Sequence, residues 1–392
     1  MLSNRVPRSR APNDWSLLLA ARRAAGATLL DLSVTDPTAV GLGGAGEREL
    51  AALADAAAER YTPDPFGLAS ARAALAADHA ARGDRVGVED LVLTASTSES
   101  YAHVFRLLCD PGDVVLAPRP GYPLFEPLAA AEAVRVGGYR LAFDGQWHLD
   151  IDSLDAAFAA HAGRVRAVLV VQPNHPTGTA LDSRELAALE ERCERHGAAI
   201  VSDEVFRDFA WPGRPPVATL LGERRVPTLV LDGLSKRCGM PQLKLGWIAL
   251  AGPAAARREL REGLEWISDL FLSVGAPVQL ALPTLLAARE GYQRRVHSRL
   301  AANLGILARF AGACPAATPL AAGAGWAAIV RLPQRLDAEQ WALALLERGV
   351  VAHGGDLYDL EFPSCLVLSL LPEPNSFAAG VELTLRAISS RL

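Results

Sequence analysis

The sequence predicts an α/β fold built on a mostly parallel sheet between helices, followed by a smaller α+β unit. Two features carry this expectation. Short Val/Ile/Leu runs recur without polar alternation, as strands covered on both faces require. Helical patterns with readable ends lie between them, so strand and helix alternate. Strands are expected at 90–95, 114–118, 165–172, 198–203, 228–232 and 245–251. A helix near 14–25 precedes them and should pack on the C-terminal unit. A helix from about Ser98 puts Tyr101, Phe105 and Leu108 on one stripe and ends at Asp110-Pro111-Gly112. Another opens with the capping pair Asp182 and Glu185, repeats Leu186, Leu189 and Cys193 on one face, and stops at Gly197. Residues 254–310 read as helical with a break near 275–277. Residues 316–392 mix strands at 327–332 and 366–371 with two helices.

A chain of 392 residues suits two or three structural units. The expected division is an N-terminal arm joined to the small domain (1–44), a large domain (45–285) and a small C-terminal domain (286–392). With 50% hydrophobic and 21% charged residues, a disordered chain is excluded. A net charge of -5 without a Lys/Arg block argues against a nucleic-acid partner. No apolar run approaches the ~20 residues of a membrane span, and the N-terminus has no apolar signal core. Five scattered cysteines without a C-x-x-C pair argue against a disulfide scaffold or a zinc ribbon. The expectation is a soluble cytoplasmic protein.

Of the 39 basic residues, two are lysines, Lys236 and Lys244. A bias that turns surface Lys into Arg acts as a filter, because Lys survives where Arg cannot serve. Guanidinium stays protonated, whereas a buried amine can lose its proton and act as a nucleophile. Both survivors lie in one segment, GLSKRCGMPQLKLGW, which points to an active site.

Other motifs sort by their context. GLGGAG at 41–46 fits a dinucleotide loop by letter, but Asp36-Pro37-Thr38 separates it from the preceding apolar run, so it reads as a flexible connector. No H-E-x-x-H, G-x-S-x-G or metal-spaced Cys/His cluster is present, and no metal is expected. The segment 94–99 ends a strand and opens a helix with Ser96, Thr97 and Ser98, a set suited to a phosphate or to ordinary capping. Gln172-Pro-Asn-His-Pro-Thr-Gly178 follows a buried strand, and Asp203 ends the next. Polar residues at the carboxyl ends of parallel strands face the crevice where ligands bind.

Together these pieces resemble the fold-type I pyridoxal-phosphate enzymes, in particular the class I/II aminotransferases. YTPDPFGLASAR (61–72), DPGDVVLAPRPGYPLF (110–125), PNHPTG, SDEVF and LSK followed by LGW carry the resemblance, which covers nearly the whole chain. It implies that Lys236 links to the cofactor's aldehyde and moves the proton at the substrate Cα. Asp203 pairs with the pyridine nitrogen, Tyr122 stacks on the ring, and Ser96, Thr97 and Ser98 hold the phosphate, with Ser235 and Lys244 also in the cofactor site. Tyr61 reaches the neighbouring active site of a homodimer. The implied function is amino transfer between an amino acid and a 2-oxo acid, with a lyase, cyclase or oxidase as the alternative.

Several positions depart from the family pattern. His175 stands where the family has Asn, with Asn174 one residue off, and Phe206 stands where it has Tyr. Hydrogen bonds to the cofactor's 3′-oxygen then come from His175 or are missing, and the lysine link should keep its proton to higher pH. Gly233 replaces a Ser, and Lys244 replaces the phosphate-binding Arg. Val367 stands where an Arg clamps the substrate carboxylate, and Thr35 stands where a Gly assists it. Arg5, Arg22, Arg23 and Arg331 are the candidate replacements.

Overall fold

The computed structural model describes residues 3, 5–7 and 11–390. The chain begins with α1 (Asp14–Ala24), whose N-cap Asn13 accepts from the Ser16 N–H. It continues through β1 (Leu30–Asp31), α2 (Glu47–Ala51) and α3 (Ala69–Ala81). The large unit follows as β2 (Leu91–Thr94), α4 (Thr97–Leu108), β3 (Val114–Arg119), α5 (Phe125–Ala131), β4 (Arg135–Phe143), β5 (Trp147–Leu149) and α6 (Ile151–Ala160). Next come β6 (Val165–Val171), α7 (Ser183–His196), β7 (Ala199–Asp203), β8 (Thr228–Gly233), α8 (Leu234–Arg237) and β9 (Gly246–Ala251). The helices α9 (Ala254–Asp269), α10 (Ala276–Ala287) and α11 (Arg289–Ala313) lead to β10 (Thr318–Pro319) and β11 (Ala327–Arg331). The chain then runs through α12 (Ala338–Leu346), β12 (Val350–Val351), β13 (His353–Gly354), β14 (Cys365–Ser369) and α13 (Pro374–Ser389).

The strands β2 to β9 make one sheet in the order β2-β9-β8-β7-β6-β3-β4-β5. The inner pairs β3–β4, β3–β6, β6–β7 and β7–β8 are parallel, while β9 runs antiparallel to both neighbours. Successive residues bury on opposite faces. Val168, Val170, Ile200 and Val230 pack with α3, α6 and α7, while Ala167, Leu169, Val201 and Leu229 pack with α4 and α9. Each of the buried valines, leucines and isoleucine contributes roughly 1.5–3 kcal/mol. The capping box at Asp182 and Glu185 and the left-handed stop at Gly197 form as expected. β4 and β5 extend the sheet by a hairpin that lies outside the strands expected from apolar runs. Arg135, Gly137, Gly138 and Arg140 break its hydrophobic run, because both ends and one face of this strand reach solvent. The helical break after α9 comes earlier than expected, at 270–275, with Pro277 inside the first turn of α10.

A second sheet, β10-β11-β14-β13, carries α11, α12 and α13 around its own apolar cluster. The N-terminal segment joins this unit, since Leu30 and Asp31 pair in parallel with Val350 and Val351. The glycine-rich segment 41–46 is not loose. Gly44 N–H donates to the Gly239 carbonyl at 3.0 Å, and a Cβ on Gly44 would stand 1.7 Å from the Cys238 carbonyl oxygen. It is a close-packed strap over the turn that follows Lys236.

Beneath that turn lies a buried charge cage. Arg237 is 1% exposed and donates to Asp232 at 2.7 Å, with Asp78 as its second carboxylate partner and Asp208 4.0 Å away. Arg289 also pairs with Asp78, Arg82 with Asp208, and Arg207 Nη2 with Asp84 at 2.7 Å. The Arg237 guanidinium also lies over the Trp247 ring, 5.5 Å from the centroid. Removing one partner of a buried pair leaves an uncompensated charge, which costs about 3–5 kcal/mol. Arg237→Met should therefore lose on the order of 3–5 kcal/mol of unfolding free energy in urea. Adding Asp232→Asn should restore part of the loss, and a single variant as stable as the parent would refute this account.

Candidate active site

The register of the large sheet brings the expected residues to one edge. Thr94 pairs with Gly246, and Gly246 with Gly233. Asp203 lies opposite Leu231 on one side and Val171 on the other. The carboxyl ends of β2, β6, β7 and β8 are therefore level. The segments that follow them carry Ser96 to Ser98, Asn174 and His175, Phe206, and Ser235 and Lys236. Tyr122 enters from the loop after β3.

Asp203 is buried and its carboxylate has two donors. The Tyr101 hydroxyl donates to Oδ2 at 3.0 Å and the Val205 N–H to Oδ1 at 3.2 Å. Burial pushes its carboxyl up to about 6, against the lowering effect of those donors. Glu204 turns away and accepts from the Leu220 N–H at 2.7 Å. Lys236 Nζ donates to the Thr35 carbonyl at 3.2 Å and lies 5.2 Å from the Trp326 ring centroid and 5.9 Å from that of Phe206. Burial lowers its amine below the ordinary lysine value, opposed by Asp36 and Asp203. That direction agrees with the proton-transfer role expected from the sequence.

The N-terminus of α4 is closely crossed by β9. A Cβ on Gly246 would stand 3.0 Å from the Thr97 nitrogen and 3.1 Å from Thr94 Oγ1, so only glycine permits this approach. Ser96 caps the helix by accepting from the Glu99 N–H at 3.2 Å, and Glu99 takes the Ala95 N–H at 2.6 Å. The amides of Thr97 and Ser98 fall in the first turn, where no helical carbonyl is available to them. The Thr97, Ser98 and Ser235 hydroxyls and the Lys244 amine have no side-chain partner among the described residues. Lys244 is held at φ 52, a left-handed conformation, two residues before β9 starts.

The wall beside Lys236 is aromatic and uncharged. His175 stacks near Phe206 (5.6 Å, 26°) and meets Tyr358 edge-on at 5.3 Å. Burial, with help from Lys236 and His353, pushes His175 down to about 3, so it is neutral at physiological pH. His353 Nδ1 shares a 2.9 Å hydrogen bond with the Tyr358 hydroxyl, and burial lowers its pKa as well. Val367 is buried in β14 opposite Ile329 and His353. Asn174 Oδ1 accepts from Thr177 Oγ1 at 3.0 Å, while its buried Nδ2 has no partner among the described residues. Of the arginines considered as a carboxylate clamp, Arg23 is 3.6 Å from Asp31, and Arg331 stands over Phe362 at the far end of the strand that follows Trp326.

Tyr61 is not brought to Lys236 within the chain. It is 84% exposed and lines a cavity of about 540 Å³ with Pro63, Gly67, Ser273 and Gln279, a lining that includes neither Lys236 nor Asp203. Tyr101, Trp326, Tyr358 and His353 were not singled out as site residues. Tyr101 reads as helix core from its spacing, and the other three come from the distant second sheet and its connections.

A pyridoxal phosphate fits this edge on two observations. A buried carboxylate with only neutral donors lacks a cationic partner of its own, which a protonated ring nitrogen provides. The first-turn amides and hydroxyls of α4 offer donors to a dianion.

The chain is similar to known proteins. The family model described as aminotransferase class I and II matches residues 37–374. Nicotianamine aminotransferase 1 of Oryza sativa subsp. japonica is 30% identical over 241 residues, 60% of this chain and 48% of that protein. S-alkyl-thiohydroximate lyase SUR1 of Arabidopsis thaliana is 30% identical over 200 residues, 50% of this chain and 43% of that protein. The matched stretch thus spans about half the length of these curated relatives. An alanine aminotransferase structure from Pyrococcus furiosus superposes with a TM-score of 0.88 at 22% identity, covering 100% of both chains, which establishes the fold.

The raised Asp203 carboxyl has a consequence for the cofactor-free protein. Its folded value of about 6 lies above the ordinary 3.8, so its contribution favours folding at low pH and is lost as pH rises through about 6. Asp203→Asn should therefore stabilise the cofactor-free protein by about 1–3 kcal/mol near pH 8 and by much less near pH 4. Denaturant melts at both pH values check this, and a difference independent of pH would refute it.

Proposed function

The chain belongs to the class I and II aminotransferases, and from that premise we propose that it moves an amino group between an amino acid and a 2-oxo acid with pyridoxal phosphate. The observation that carries this reading is the pairing of a buried carboxylate, Asp203, with a lysine of lowered pKa, Lys236, at the same edge of the sheet. When bound, the cofactor supplies an aldehyde for the amino group and a cationic ring that withdraws electrons from Cα.

The protein's own residues do the rest. Asp203 holds a proton on the ring nitrogen. Thr97 and Ser98, with their amides, seat the phosphate, and Ser96 and Ser235 complete that rim with Lys244 as its cation. Tyr122 covers one ring face. Lys236 makes the covalent attachment and, with its pKa lowered by burial, carries the proton to and from Cα. His175 is neutral, so it offers one N–H to the 3′-oxygen and no charge, and Asn174 Nδ2 is the second available donor. Phe206 offers none. These residues would therefore do little to favour a negative 3′-oxygen on the bound cofactor.

Val367 supports a second reading. With a buried valine and two neutral histidines at this wall, the substrate carboxylate is not met by a guanidinium from β14. A lyase, cyclase or oxidase acting on an amino acid uses the same cofactor seat, and fold alone does not separate these.

We also propose a homodimer. Tyr61, Trp266, Leu270 and Phe271 are exposed at 84%, 67%, 61% and 49%, a large apolar set for a free surface. A second copy covering it would bring Tyr61 to the neighbouring phosphate seat. The division 1–44, 45–285 and 286–392 is kept as the domain plan, supported by the β1–β12 pairing. We place the enzyme in the cytoplasm, in amino-acid metabolism. No helix among the described residues is long and apolar enough to cross a membrane.

The protein loaded with pyridoxal phosphate should show a visible absorbance band that Lys236→Ala abolishes. An amino acid should bleach the band and a 2-oxo acid should restore it. Repeated turnover that releases ammonia with no 2-oxo acid present would replace transfer by the second reading, and absence of any cofactor binding would refute both. Light scattering should give twice the 41.5 kDa chain mass. Tyr61→Ala should weaken cofactor retention while leaving the mass unchanged.

A further inference from the structure

We propose that Tyr101 is a positioning residue that keeps the Asp203 carboxylate ionised and fixed in plane for the cofactor's ring nitrogen. This rests on reading Asp203 as that nitrogen's partner.

Tyr101 is 2% exposed, in the middle of an apolar cluster. Its ring lies 5.8 Å from Phe105 and 5.4 Å from Phe125, with Tyr122 against the same Phe125 at 5.6 Å. A phenylalanine would fill this space equally well. A hydroxyl placed there costs free energy unless it is bonded, and its one partner is Asp203 Oδ2, at 3.0 Å. The Val205 N–H holds the other oxygen at 3.2 Å. With one donor on each oxygen, rotating the carboxylate breaks both bonds, so its plane is set by α4 and by the turn after β7. A neutral donor to a carboxylate favours the charged form. The phenol is itself held far above its ordinary pKa by burial and by Asp203, so it remains a donor throughout the working range.

The position along α4 matters as much as the bond. Tyr101 is four residues after Thr97, on the same side of the helix one turn further in. One rigid helix therefore carries both the first-turn phosphate donors and the residue that aims Asp203. The separation between the two ends of the cofactor seat is built into α4 rather than into loops. The other ionisable groups that act on Asp203 are Asp232 on β8, Lys236 on α8 and Tyr122 after β3. Of these, Lys236 favours the ionised form and Asp232 opposes it.

The test is equilibrium binding of pyridoxal phosphate to cofactor-stripped protein, followed by absorbance across pH, for the parent, Tyr101→Phe, Asp203→Asn and the double variant. Tyr101→Phe should weaken binding about tenfold, the scale of one hydrogen bond to a charged group. It should also move upward the pH below which affinity is lost, because Asp203 without its donor protonates sooner. The cofactor's own titration is common to all four proteins and cancels in the comparison. In the Asp203→Asn background the same substitution should change affinity less than twofold. Equal weakening in both backgrounds would make Tyr101 a packing residue only and overturn the proposal, as would Tyr101→Phe binding like the parent. The double variant also removes the partner carboxylate, so it reports even if Tyr101→Phe alone folds poorly. A parent that binds no pyridoxal phosphate would instead overturn the Asp203 reading, and this proposal with it.

Discussion

The guanidinium of Arg237, one residue from the site lysine, is the charge on which the active-site edge depends. Asp78 on α3, Asp232 at the end of β8 and Asp208 after β7 come from three separate elements and approach one another in the interior. Three carboxylates cannot gather there without a cation, and a cation cannot sit there without them. The cage thus ties a helix, a strand end and a turn to the four-residue α8. Gln293 on α11 adds a hydrogen bond to the Arg237 carbonyl at 3.0 Å, so a long helix of the C-terminal half is tied to the same point. Lys236 has no such network. It bonds to one backbone carbonyl, at Thr35, and is otherwise surrounded by rings. The fixed charge is placed next to the movable one.

The large sheet adds a second constraint. Level strand ends put Asp203, Lys236 and the start of α4 at one edge, and glycines allow the closest approaches. Gly246 lets β9 pass the first turn of α4, and Gly44 lets the 41–46 strap lie on the Cys238 carbonyl. In both places a Cβ would meet backbone, which cannot move aside as a side chain can. The strap and Thr35 belong to the N-terminal segment, which pairs through β1 with β12 of the C-terminal unit in a two-stranded sheet of their own. The site is therefore closed by chain that is anchored on the smaller unit.

The electrostatics divide the seat into two zones. Around Asp203 the protein supplies donors that favour a negative charge, although burial opposes it. Along His175, His353, Tyr358, Phe206 and Trp326 it supplies rings held neutral by burial. A substrate entering this wall meets hydrogen-bonding edges and apolar faces rather than a guanidinium on β14.

The chemistry-bearing residues were legible in the sequence because each needs a residue type that few others can replace. Two lysines among 39 basic residues marked the segment around Lys236. An Asp ending an apolar strand marked Asp203, and hydroxyls between strand and helix marked Ser96 to Ser98. The buried strands and the Asp182–Gly197 helix were readable because period and capping are local properties. The β4–β5 hairpin was not, since its glycines and arginines have meaning only at a solvent-facing sheet edge. Tyr101 was visible only as a helix-core residue. Its role exists because α4 packs on the sheet over β8 and β9, which brings its hydroxyl to a carboxylate 102 residues away. Likewise His353 and Tyr358 carry no local signal and gain one from packing of the second sheet against the first. By itself the sequence determined the fold class and singled out Lys236 and Asp203 as candidate site residues. The tertiary structure decided which neutral groups hold those charges and which rings line the wall, because contacts between distant segments leave no periodic trace along the chain.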